Sequence, residues 1–129
     1  MPRTKVLFYQ ERKNDSPVVE WLRKIRKKDP KGFLNCLAKV EQLQTFGYEL
    51  RRPSADYLKD GIYELRAKHR NVQYRLLYFY HGENIAIIDH GIIKEQSAVP
   101  LKEIERALNR KQKFEQNPTQ HTFEGVIGK

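Results

Sequence analysis

The chain has 129 residues, with 25 Lys or Arg against 16 Asp or Glu, a formal charge of +9 with histidine neutral. That length fits one domain with its own core, and 7 tyrosines with 6 phenylalanines argue against a disordered polyelectrolyte. A lone cysteine, Cys36, excludes an internal disulfide and a cysteine-rich zinc site, and the positive surplus favours polyanionic partners, either nucleic acid or an acidic protein.

In chain order, Lys5-Val6-Leu7-Phe8-Tyr9 is β-branched and aromatic and reads as a strand. Ser16-Pro17 is a helix start, with a capping oxygen followed by a proline where its missing N–H costs nothing. Val18, Trp21, Leu22 and Ile25 then form one apolar stripe, while Arg23, Lys24, Arg26, Lys27 and Lys28 line the other side and the last turn. Asp29-Pro30 repeats the cap-then-proline signal, and Phe33, Cys36, Leu37, Val40 and Leu43 keep helical spacing up to a stop at Gly47. Two antiparallel helices result. Cys36 sits on the apolar stripe as a small core residue. Residues 48–59 are polar and read as a loop.

From Gly61 the period changes to two. Tyr63, Leu65 and Ala67 point one way, and Glu64, Arg66 and Lys68 the other. Residues 72–80 and 85–89 are further strands joined by a His81-Gly82-Glu83-Asn84 hairpin turn, and their two apolar faces place them centrally in a covered sheet. Tyr74, Tyr78 and Tyr80 share one face, for core packing or for stacking on RNA bases. Pro100 opens a last helix, with Leu101, Ile104, Ala107 and Leu108 facing inward. The expected order is β-α-α-β-β-β-α. It is an α+β fold with an antiparallel, mixed-edge sheet against an N-terminal helical pair and a C-terminal helix. Residues 1–114 form the domain and residues 115–129, which show no periodicity, a loose tail.

His69, His81, His90 and His121 make no i,i+4 pair and no HExxH motif, so neither a metal nor another cofactor is expected. No apolar run approaches the roughly 20 residues of a membrane span, and no apolar leader follows Met1. A cytoplasmic protein without membrane partners is the expectation.

Four stretches are more specific. They are Asp60-Gly61-Ile62-Tyr63-Glu64-Leu65-Arg66, Gln73-Tyr74-Arg75-Leu76-Leu77-Tyr78, Asp89-His90-Gly91-Ile92-Ile93-Lys94, and the proline-started helix from Val99 to Ala107. Together they resemble the RelE/ParE superfamily of toxins from bacterial toxin–antitoxin pairs, in particular its HigB-type, phage-related branch, over residues 5–114. The resemblance implies a RelE-like fold and a ribosome-dependent mRNA endoribonuclease that inhibits translation. It also implies an inhibiting antitoxin of the helix-turn-helix type. Glu95 stands where the family has a second lysine, and Val99 where it often has a capping threonine.

The chemistry can be weighed independently. Cleaving RNA through its own 2′-OH needs a proton moved off that hydroxyl, charge neutralised on the phosphorane oxygens, and a proton given to the leaving 5′-oxygen. Arg and Lys suit the second task. By the resemblance, Arg66, Arg75 and Lys94 are the phosphate-binding groups, and His90 is the proton-transfer candidate because its ordinary pKa lies near neutrality. Structural readings stand beside these. Arg66 fits a solvated arginine or a partner of Glu64, Arg75 an ion pair with Glu64 or Asp89, and His90 a hydrogen-bonded structural histidine. Lys68, His69 and Arg70 in the following turn, Arg51 and Arg52, and Arg23 and Lys27 in the basic helix are candidate RNA or ribosome contacts. The same charges also suit a solvated face. Two other classes remain open: a ParE-like gyrase inhibitor and a non-enzymatic nucleic-acid-binding phage protein.

Overall fold

The computed structural model describes residues 3–127. The elements are β1 (Lys5–Phe8), α1 (Pro17–Lys28), α2 (Pro30–Phe46), β2 (Ala55–Lys59), β3 (Ile62–His69), β4 (Val72–His81), β5 (Ile85–Ile93) and α3 (Leu101–Gln116). One five-stranded sheet runs β1-β5-β4-β3-β2. Its β1–β5 pair is parallel and all other pairs are antiparallel. The expected α+β fold with a mixed edge is therefore present. Among the described residues no helix is long and apolar enough to cross a membrane.

Local chemistry starts both N-terminal helices. Ser16 Oγ accepts the Val19 N–H at 3.4 Å and donates to the Tyr9 carbonyl at 2.6 Å, so the cap also ties α1 to the end of β1. Asp29 closes α1 with its own N–H on the Ile25 carbonyl and opens α2 by accepting the Gly32 N–H at 3.0 Å. Its carboxylate also accepts from the Tyr74 hydroxyl at 2.6 Å and lies 2.8 Å from His69 Nδ1. One side chain thus fastens the corner between the helices to β3 and β4.

The sheet is covered on both faces. α1 and α2 bury Val18, Leu22, Ile25, Phe33, Cys36 and Leu43 against Leu65, Tyr74, Leu76, Tyr78 and Tyr80. The three tyrosines of β4 therefore belong to the core, as their spacing predicts. α3 covers the opposite face, where Ile104, Ala107 and Phe114 meet Ile62, Leu77, Phe79 and Ile87. Gly91 admits Trp21 onto β5, since a Cβ there would lie 2.3 Å from the indole ring.

Three expectations need correction. Residues 55–59, read as loop, form the edge strand β2, where only Ala55 is buried. Its two core-facing apolar residues, Ala55 and Leu58, are three apart and pack on opposite faces, so no alternation marks the strand, and pairing with β3 is what orders it. Its edge is shielded by Asp56, whose Oδ1 accepts the Tyr57 N–H at 3.0 Å. Pro100 is the residue before α3 rather than its first, and at that capping position its side chain offers no acceptor, so the helix has no side-chain cap.

The third correction concerns the loose tail. Residues 115 and 116 complete α3, and residues 117–127 fold back along β1. The Phe123 N–H bonds the Phe8 carbonyl at 2.8 Å, and the buried His121 stacks on Tyr9 with ring centroids 5.2 Å apart. Arg23 donates to the carbonyls of Ile127 and Val126 at 3.1 and 2.9 Å. These anchors are mostly backbone groups, so no apolar period marks the segment.

Gly91→Ala should lower stability by about 1–3 kcal/mol through overpacking against Trp21, measured by urea unfolding. Gly82→Ala, where nothing lies within 4 Å but φ is +69°, should lose only about 1 kcal/mol from its left-handed backbone. The Tyr74 hydroxyl, then the Gly32 N–H, hold the Asp29 carboxyl below its ordinary 3.8. The unfolded chain therefore takes up that proton first. The stabilisation is present above about pH 3.8 and disappears as pH falls through the lower folded value. Asp29→Asn should flatten the acid limb of a stability–pH curve, and an unchanged limb would refute this assignment.

Candidate functional site

The alternation of β3 and β4 decides which side chains meet. Leu65 and Ala67 point to α1 and α2, which turns Glu64, Arg66 and Lys68 to the face that packs α3. On β4, Leu77 and Phe79 face α3, so Gln73 and Arg75 share that side. Across the strands Arg66 lies directly opposite Arg75, Lys68 opposite Gln73, and Glu64 opposite Leu77. The Lys94 N–H bonds the Gln73 carbonyl at 2.8 Å, which extends the Lys68–Gln73 row onto the end of β5. Arg66, Arg75, Lys68 and Lys94 therefore gather on one end of one face.

Glu64 is the anion among them. Its Oε1 lies 3.2 Å from Arg75 Nε and its Oε2 lies 3.7 Å from Arg66 Nε. Arg75 is only 2% exposed. It donates through Nη1 to the Tyr74 carbonyl at 3.1 Å and through Nη2 to Gln73 Oε1 at 2.7 Å. The Nε–Oε1 contact is electrostatic, without hydrogen-bond alignment, so both buried atoms lack a hydrogen-bond partner among the described residues. Burial pushes the Glu64 carboxyl up from its ordinary 4.5, against the pull of Arg75, Arg66 and Lys94. Burial likewise lowers the pKa of Arg75. The Arg66 side chain is 29% exposed and, with Arg75, lines an open groove of about 580 Å³ whose far wall is α2. The arrangement is a cationic surface with a buried carboxylate at its base, suited to holding a phosphodiester and accepting a proton beside it.

The other sequence-predicted residues lie elsewhere. His90 is 5% exposed. Its Nδ1 lies 2.6 Å from Asp89 Oδ2 and its Nε2 lies 3.1 Å from Glu103 Oε1. Arg110 joins Asp89 at 3.0 Å and Arg106 joins Glu103 at 2.9 Å. His90 therefore ties β5 to α3, as the hydrogen-bonded structural reading has it, and both of its ring nitrogens face carboxylates away from the Arg66–Arg75 cluster. His69 points to the opposite face and is bound by Asp29. Arg23 holds the C-terminal segment instead of presenting itself to phosphates. Arg51 donates to the carbonyls of Tyr48 and Leu50, and Arg52 clasps Asp56 at 2.8 Å. Lys27 and Arg70 are exposed, as is Glu95 beyond β5.

Glu64 as a site residue was not singled out by sequence reasoning. The signal was an acidic residue in the alternating position next to Arg66, on the side turned away from the tyrosines. Gln73, which steadies Arg75, carried no signal of its own. Among the described residues no three His, Cys, Asp or Glu side chains cluster as metal ligands.

The family profile described as Phage derived protein Gp49-like matches residues 20–112, a span that holds every member of the cationic cluster. A comparison with curated proteins finds no match.

Removing one partner of the buried pair should be costly. Glu64→Gln should destabilise by about 3–5 kcal/mol by leaving the Arg75 charge uncompensated, and adding Arg75→Met should recover most of that loss. A denaturant double-mutant cycle measures the coupling, and additive losses would show that the two side chains act independently.

Proposed function

The chain belongs to the phage-derived Gp49-like family, a RelE/HigB-like toxin family, and from that premise we propose that it is a ribosome-dependent mRNA endoribonuclease. Toxins of this kind work in pairs with an antitoxin. The proposed partner here is of the helix-turn-helix type, and the proposed site of action is the cytoplasm. The observation that carries the reading is the convergence of Arg66, Arg75, Lys68 and Lys94 around Glu64 on one sheet face.

In this reading the scissile phosphodiester lies over Arg66, with Lys68 and Lys94 on its non-bridging oxygens. The Glu64 carboxylate takes the proton of the 2′-OH, whose oxygen then bonds to phosphorus as the bond to the 5′-oxygen breaks. The raised Glu64 pKa suits that task, since a stronger base is poised closer to neutral pH. Lys94 returns a proton to the leaving 5′-oxygen. The products are a 2′,3′-cyclic phosphate and a 5′-hydroxyl. The cations stabilise the charge that grows on the phosphorane, and Arg75 holds Glu64 in place from beneath. Exposed lysines of α1, Lys27 among them, provide a salt-sensitive attraction to ribosomal RNA.

The test is cleavage of mRNA by purified protein in a ribosome-programmed extract, with 5′ ends mapped. Wild type should yield new ends bearing 5′-hydroxyls, and Arg66→Ala should reduce them by about 10²–10³, the loss for one transition-state donor. Growth arrest without new 5′ ends would overturn the reading and favour a gyrase-directed toxin.

A further inference from the structure

The groove beside Arg66 and Arg75 has a wall that the phosphate chemistry leaves unused. Asn35, Ala38, Lys39 and Gln42 stand on one face of α2 at i, i+3, i+4 and i+7 and line the same space as Arg66 and Lys68. α2 reaches the arginines because the β2–β3 ladder runs only to Leu65, with a last bond from the Arg66 N–H to the Ser54 carbonyl at 2.8 Å. Past that bond α2 closes on the strand edge, and the Asn35 amide donates to the Lys68 carbonyl at 2.9 Å. The cationic face and the helix wall thus meet around the open end of β3.

The chemistry of the two walls differs. One is cationic. The other carries two amides about 10.5 Å apart along the helix, at 1.5 Å rise per residue, with the small Ala38 keeping the space between them open. Lys39 Nζ donates to Ser54 Oγ at 2.9 Å. The Gln42 amide has no hydrogen-bond partner among the described residues, so both its donor and its acceptor are available to a ligand. Amides of Asn and Gln present a donor and an acceptor side by side, which matches the edge of a nucleobase. At about 580 Å³ the groove has the size of a small-ligand pocket.

We propose that the α2 wall is a nucleobase subsite, an inference that rests on the ribonuclease reading for its substrate class. The base adjoining the scissile phosphate of single-stranded RNA enters between the arginines and α2. Gln42 and Asn35 read its hydrogen-bonding edge, and Lys39 takes the neighbouring phosphate. Base preference is then set by α2, and cleavage by the sheet.

The experiment titrates fluorescein-labelled RNA hexamers that differ in the base at one position into wild type, Gln42→Ala, Gln42→Glu, Asn35→Ala and Lys39→Ala, and in a ribosome-programmed extract maps the 5′ ends each protein generates on mRNAs carrying the same base changes. Wild type should favour one base by about tenfold, the size of one bidentate amide–base contact. Gln42→Ala and Asn35→Ala should reduce that preference to within about twofold. Gln42→Glu, which keeps the shape and loses the N–H donors, should change which base is preferred. Lys39→Ala should weaken all four RNAs alike. A wild type without base preference, or a preference that survives both alanine variants, overturns the subsite. Base-selective binding that these variants abolish, with no new 5′ ends from any protein in the ribosome-programmed extract, refutes the ribonuclease reading and leaves the subsite standing.

Discussion

Two guanidinium groups placed directly opposite each other on neighbouring strands repel, and Glu64 is the charge that lets Arg66 and Arg75 hold those positions. It sits in their strip of the sheet, in contact with both, and buried enough that its own ionisation is disfavoured. The triad is therefore balanced rather than relaxed. Each cation lowers the cost of the anion, and the anion lowers the mutual cost of the cations. In the proposed reaction an incoming phosphate would supply the same negative charge from outside, freeing the carboxylate to act as a base while the arginines stay compensated. The ion-pair and phosphate-binding readings of these arginines therefore do not exclude each other.

The scaffold makes that balance durable. β4 lies in the middle of the sheet, with α1 and α2 on one face and α3 on the other. Its alternation separates tyrosines from Arg75 and Gln73 without ambiguity, because a one-residue slip would bury an arginine among aromatic rings. Asp29 secures the helical corner to the same strands from the far side. The His90–Asp89–Arg110 and His90–Glu103 contacts secure α3 to β5. The polar networks at the two faces thus hold the helices to the strands that carry the cationic cluster.

Much of the fold was legible because its signals are local. The Ser16-Pro17 and Asp29-Pro30 starts, the apolar stripes of the first two helices and the period-two runs each depend on a few consecutive residues. β2 and the C-terminal segment were not legible for the opposite reason. Ala55–Lys59 is a strand because β3 lies beside it, and residues 117–127 are ordered by the backbone of β1 and by Arg23. Of the candidate site, Arg66, Arg75, Lys68 and Lys94 could be gathered from alternation and resemblance. His90 fitted a catalytic pattern equally well in sequence, and only the tertiary structure places carboxylates on both sides of its ring, apart from the cluster.

By itself the amino-acid order determined the element types apart from β2, the alternating faces of β3 and β4 and the surplus of positive charge, all properties of neighbours along the chain. The tertiary structure alone decided which charge meets which: Arg75 with Glu64 rather than Asp89, Arg23 with the C-terminal carbonyls rather than solvent, and α2 with the open end of β3. Partner choice depends on strand register and helix placement. Those are set by burial summed over the whole core, so no short window of residues contains them.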